Sequence, residues 1–127
     1  MKAGKAGRAA AIALLGLIGS NVALAGDGNQ LLTTCQVVIK FLDGEKKVDP
    51  FDIGYCTGIV EGVEGSIFIL NDSLPANLKT CYPDTGINNG QKARIIVKYL
   101  RENPDQLHMP AAALAMIAYK NAYPCKR

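Results

Sequence analysis

The stretch Pro50-Phe51-Asp52-Ile53-Gly54-Tyr55-Cys56-Thr57-Gly58-Ile59-Val60-Glu61-Gly62-Val63-Glu64 decides how the chain is read. Proline at its start suits the first turn of a helix, because its φ is already set and its missing N–H would have no intrahelical partner there. The helix predicted from Pro50 continues to about Leu70. Gly54, Gly58 and Gly62 recur every four residues and form one row along it. Each costs about 1 kcal/mol of helix propensity relative to alanine, so the row needs close packing to offset that cost. A glycine zipper in a membrane would supply it, but Glu61 and Glu64 are ionised groups near the middle of the segment and expensive in hydrocarbon. The pattern therefore predicts a packing seam in a water-soluble helical domain, with no stable membrane insertion.

Working outward, Asn29 to Leu42 carries Leu31, Cys35, Val38, Ile39 and Leu42 at the spacing of one helical face, and Asp43-Gly44-Glu45-Lys46-Lys47 ends it. After the second helix, Asn71 to Asn89 reads as an irregular connection punctuated by Pro75, Pro83 and Gly86. A loop of that length needs a function or a tether, and Cys81 offers the tether. Asn88 can cap a third helix while Gln91 reaches back to it as a capping box. Ala93, Ile96, Val97 and Leu100 form its buried stripe, and Glu102-Asn103-Pro104 stops it, since the residue before proline avoids the helical region. Pro110 opens a fourth helix, with Leu114, Ile117 and Ala118 on one face, and Pro124 closes it. The expected fold is all-α: a small four-helix domain of two helical hairpins, with no strand.

The four cysteines are Cys35, Cys56, Cys81 and Cys125. Short turns make helices one and two antiparallel neighbours, so Cys35 and Cys56 lie at similar heights. Cys81 precedes helix three and Cys125 follows helix four, which brings those ends together too. The hairpin argument favours Cys35–Cys56 and Cys81–Cys125, while Cys56–Cys81 with Cys35–Cys125 is the alternative if the long loop folds back along helix two. Closing either loop of the favoured pair stabilises a small domain by about 3 to 4 kcal/mol before strain. No Cys-x-x-Cys unit or Cys/His pair at ligand spacing is present, so no metal and no other cofactor is expected.

The 127 residues hold 14 Lys and Arg against 11 Asp and Glu. Lys2, Lys5 and Arg8 account for the whole excess, and they precede the apolar run Ala9 to Ile18 and the small-residue stretch Ala23-Leu24-Ala25. That order predicts a secretory signal peptide over 1–25, cleaved after Ala25, and a mature domain over 26–127. The run is about half the ~20 residues that span a bilayer. A mature domain balanced at 11 against 11 lacks the cationic footprint of a nucleic-acid binder. Export to an oxidising compartment fits the even cysteine count.

Catalytic residues are not evident. His108 is the only histidine and sits between helices three and four, where it is expected to cap helix four or bond a loop carbonyl. Glu61 and Glu64 share a helix face and could resemble an acid/base pair, but that spacing usually marks a solvated face. No phosphate loop, HExxH or nucleophile elbow occurs. An enzyme is not expected.

The strings Asn29-Gln30-Leu31-Leu32-Thr33-Thr34-Cys35, Gly54 to Val63, Cys81-Tyr82-Pro83 through Gly86 to Gln91, Leu107-His108-Met109-Pro110-Ala111 and Ala122-Tyr123-Pro124-Cys125 resemble the Rap/Tai immunity family. Its members are small exported proteins that neutralise peptidoglycan amidase toxins of type VI secretion systems. The resemblance implies a periplasmic inhibitor that works by occlusion, a helical homodimer presenting a loop to the toxin's catalytic cleft. It directs attention to the loop from Asn71 to Asn89 and the turn from Glu102 to Met109, with Asp72, Asp84, Asp105 and His108 as the polar partner-binding candidates. The glycine seam or its neighbours are the expected dimer interface. A periplasmic helical binding or chaperone module of the HdeA type is the alternative. With one histidine, its acid switch would rest on carboxylates.

Overall fold

The computed structural model describes residues 26–126; the expected signal peptide, 1–25, lies outside them. Four helices follow one another: α1 (Gly28–Leu42), α2 (Pro50–Leu70), α3 (Asn89–Glu102) and α4 (Ala111–Ala122). Single 3-10 turns occupy Asn71–Ser73, Ala76–Leu78 and Pro104–Gln106. Among the described residues there is no strand, only isolated bridges between Asp27 and Pro110 and between Thr80 and Pro124.

Local chemistry sets each boundary. Asp27 caps α1 by accepting the Gln30 N–H at 3.1 Å; that bond, with the Asn29 side-chain amide, holds its carboxyl below the usual range. At the other end the Gly44 N–H reaches the Phe41 carbonyl and the Glu45 N–H the Lys40 carbonyl, a Schellman closure in which Gly44 takes φ 105°. Asp49 caps α2 through the Phe51 N–H, one residue before Pro50. At α3 both capping-box bonds are made: the Gln91 N–H donates to Asn88 at 2.8 Å, and the Asn88 N–H to the Gln91 side chain at 3.2 Å. No side chain caps α4. The Ala111 N–H donates instead to the Gly26 carbonyl at 3.0 Å, and the Gly28 N–H to the Met109 carbonyl at 3.1 Å. These bonds stitch the starts of α1 and α4 together, so the expected capping role of His108 is not needed, and its side chain is exposed. Gly28 is required at this crossing, since a Cβ there would lie 2.9 Å from the Leu107 carbonyl oxygen.

One core joins the four helices. Leu31, Cys35 and Val38 of α1 meet Cys56, Val60, Val63 and Ile67 of α2, the predicted α3 stripe, and Leu114, Ala115, Ala118 and Tyr119 of α4. The disulfides are Cys35–Cys56, with Cα atoms 5.1 Å apart, and Cys81–Cys125, at 5.0 Å. The hairpin pairing holds and the alternative does not. Cys35–Cys56 is sealed inside the core, whereas Cys81 is exposed.

Two expectations are corrected. Glu61 and Glu64 are not simply a solvated face: Glu61 accepts the Asn89 side-chain amide at 2.6 Å, and Glu64 pairs with the Lys92 ammonium, whose side chain is 4% exposed. They tie α2 to the first turn of α3. The glycine row is not packed against the rest of the chain either; nothing lies within 4 Å of a Cβ built at Gly54, Gly58 or Gly62, or at Gly65. The reason is the helical period: Cys56, Val60, Val63 and Ile67 face the core, and the glycines fall on the opposite side.

Candidate partner-binding surface

The outer side of α2 is bare in its middle and apolar at both ends. Phe51 is exposed at the N-terminal end, its ring tilted against Tyr55 with centroids 6.2 Å apart. At the C-terminal end Phe68 is 87% and Ile69 74% exposed, followed by Leu70, and Leu78 is exposed in the adjoining loop. Single exposed apolar residues are ordinary, but a group of this size on one element marks a surface that meets another molecule. By length and composition Pro50–Ser73 could also cross a membrane. Its inner side, however, carries the Cys56 disulfide, and Glu61 and Glu64 on its flank make polar ties to α3.

The connection after α2 is held at its base in three ways. Asn71 clamps Thr80: its side-chain amide donates to the Thr80 carbonyl and accepts the Thr80 N–H, both at 2.9 Å. One side chain thus closes residues 71–80 into a compact loop. Next, the Cys81 N–H donates to the Tyr123 carbonyl at 2.8 Å beside the Cys81–Cys125 bond. Finally, Tyr82 packs edge-on against Tyr119, with centroids 6.2 Å apart, and tilted against Tyr123 at 5.6 Å. Burial, reinforced by the nearby Glu64 charge, pushes the Tyr82 hydroxyl up to about 12 and that of Tyr119 well above its ordinary value.

Two hollows flank this clamp. On one side Phe68, Asp72, Glu64 and Tyr82 frame a depression whose Glu64 carboxylate is paired with Lys92. On the other, a cavity of about 280 Å³ opens between the loop and α4, walled by Ile67, Leu74, Leu78, Ala113, Met116 and Ile117, with Lys120 at its edge. A broader groove of about 670 Å³ lies between α1 and α3, where Lys40, Arg94, Lys98 and Arg101 converge. Asp43 pairs with Arg94 and Glu102 with Lys98, so about half of that positive charge is balanced locally.

The polar candidates fall into two places. Asp72 and Asp84 belong to the 71–88 connection, whose base is tied to the C-terminal end of α4. Asp105 and His108 belong to the turn before its N-terminal end, about 18 Å away along a helix of that length. All four are exposed, and the structure does not bring them into one cluster. Among the described residues no group of three or more His, Cys, Asp or Glu side chains is placed to hold a metal. Sequence reasoning, by seeking polar residues, missed Phe68 and Ile69. They fall off the stripe of Cys56, Val60, Val63 and Ile67, but apolar residues all round the helix hid that stripe in the sequence.

A rigid helical domain, braced by disulfides and carrying its largest apolar side chains outward, is the architecture of a binding protein. The family model for Rap1a immunity proteins matches residues 27–125, and the chain belongs to that family. No curated protein and no solved structure matches it.

Proposed function

We propose that this protein is a periplasmic immunity protein that binds a peptidoglycan amidase toxin of a type VI secretion system and occludes its active site. Family membership supports the general function, immunity against a secreted toxin. The occlusion reading is carried by the 71–88 connection: its base is fixed by the Asn71 clamp, the Cys81–Cys125 bond and the tyrosine cluster. A segment held in this way loses little further freedom when it enters a cleft, which lowers the ordering cost of binding. Phe68 beside it supplies an apolar anchor. Inhibition of this kind blocks substrate without chemistry by the inhibitor. The same reading includes a homodimer in which a second copy covers the bare face of α2.

The test is protection. Co-production with the amidase encoded beside it, directed to the periplasm, is expected to abolish lysis, and Phe68→Asp to weaken toxin binding at least tenfold without unfolding the domain. Continued lysis with that cognate enzyme would sink the proposal. Suppression of protein aggregation at pH 2 to 3, with no protection from lysis, would favour the chaperone alternative.

A further inference from the structure

The cavity beside α4 adjoins the surface assigned to the toxin and shares Leu78 with it, but it is a hollow with a lysine at its rim rather than a projecting apolar patch. Its helical side is Ile67, Ala113, Met116 and Ile117, and its loop side is Leu74 and Leu78. The amide and backbone groups at its base are already used, because the Asn71 side chain and the Thr80 backbone satisfy each other. Whatever enters must therefore be apolar along its length. The mouth differs: Lys120 borders both this cavity and the neighbouring hollow that contains Lys79. Neither ammonium is paired with a carboxylate among the described residues. At about 280 Å³ the space is roughly twice that of an apolar cavity able to hold benzene, enough for an alkyl chain of about eight to ten carbons.

We propose that this cavity binds a single-chain anionic amphiphile, a medium-chain alkyl carboxylate, with its tail between the 71–80 loop and α4 and its head group at Lys120. The apolar walls supply affinity, and the Lys120 ammonium selects the sign of the head group. Because the loop forms one wall, an occupant would also brace the segment that carries Leu78.

The experiment is a titration of the disulfide-intact protein with hexanoate, octanoate and decanoate, each below its micelle-forming concentration, followed by NMR of the Met116 and Ala113 methyl groups and by calorimetry. Saturable binding is expected, tightening about fourfold per added methylene until the cavity is full. Lys120→Gln should weaken the carboxylates about fivefold or more while leaving octyl glucoside unchanged. Ala113→Phe, which fills the cavity, should abolish binding of all of them. If that variant does not fold, the surface substitution Lys120→Gln carries the test alone. Lack of saturable binding by decanoate would overturn the proposal and leave the cavity as a seat for a protein side chain. Equal affinity for decanoate and decyltrimethylammonium, or affinity independent of chain length, would overturn it as well.

Discussion

Tyr119 shows how one side chain can serve the core and work against it. It is fully buried, and its hydroxyl finds no hydrogen-bond partner among the described residues. A buried hydroxyl left unpaired costs about 1 to 3 kcal/mol. The ring more than offsets this by filling the space between α3, α4 and the loop and by meeting Tyr82 edge-on. Tyr119→Phe keeps the ring and removes the orphan group, so it should stabilise the protein by about 1 kcal/mol, measured as a higher urea midpoint at pH 7. The alkaline limb of stability tests the same cause. Tyrosines in the unfolded chain lose their protons near pH 10, while Tyr82, pushed to about 12, and Tyr119, higher still, keep theirs in the folded state. Above pH 10 the unfolded state thus binds fewer protons. These residues leave stability unchanged below pH 10 and remove it as pH rises from 10 through the folded value. Tyr119→Phe should make that decline shallower; an unchanged slope would count against burial as its cause.

At the scale of elements, the 71–80 loop owes its shape to contacts at its base. Asn71→Ala leaves the Thr80 N–H buried and unpaired, which should cost about 1 to 3 kcal/mol. Selective reduction probes the second tie. Cys81 is exposed while Cys35 and Cys56 are fully buried, so limiting reductant should open Cys81–Cys125 first, with thiol alkylation and mass spectrometry reporting the order. Opening it should release the loop and reduce toxin protection while α1 to α3 stay packed. The helix limits were legible because Pro50, the Asn88–Gln91 box, Pro104 and Pro110 act locally, and each rule concerns only a few bonds. The cysteine pairing was legible because hairpin geometry orders heights along helices. The outward turn of α2 was not. Apolar residues occur all round it, including Ile53, Ile59, Phe68 and Ile69, so periodicity alone did not single out the buried stripe. The Asn71 clamp was hidden for another reason: a side chain bonding to backbone nine residues away has no sequence signature.

For the whole molecule, neutrality conceals separation. Beyond its local ion pairs, the 11 against 11 balance of 26–127 puts Lys40 and Arg101 in the groove between α1 and α3 and Asp72 beside Phe68, so two copies could meet without opposing a uniform charge. The side of α2 away from the core carries the glycine row, the chief expense in the design of that helix. Gly54, Gly58, Gly62 and Gly65 have open space where a Cβ would stand, so in a lone domain alanine at any of them would add about 0.5 to 1 kcal/mol of helix stability. A second copy laid antiparallel across α2 would bring Phe51 of one chain toward Ile69 of the other and let the two backbones approach at the glycines. The double substitution Gly58→Ala with Gly62→Ala separates the cases, because monomer and dimer respond with opposite signs. Dilute protein should gain about 1 to 2 kcal/mol and unfold at a higher temperature, whereas the dimer dissociation constant measured by sedimentation should weaken at least tenfold as the added methyl groups hold the helices apart. If the unsubstituted protein stays monomeric at millimolar concentration, or if the alanines leave dissociation unchanged, this face does not join two copies. The exposed Phe51, Phe68 and Ile69 would then all be available to the toxin.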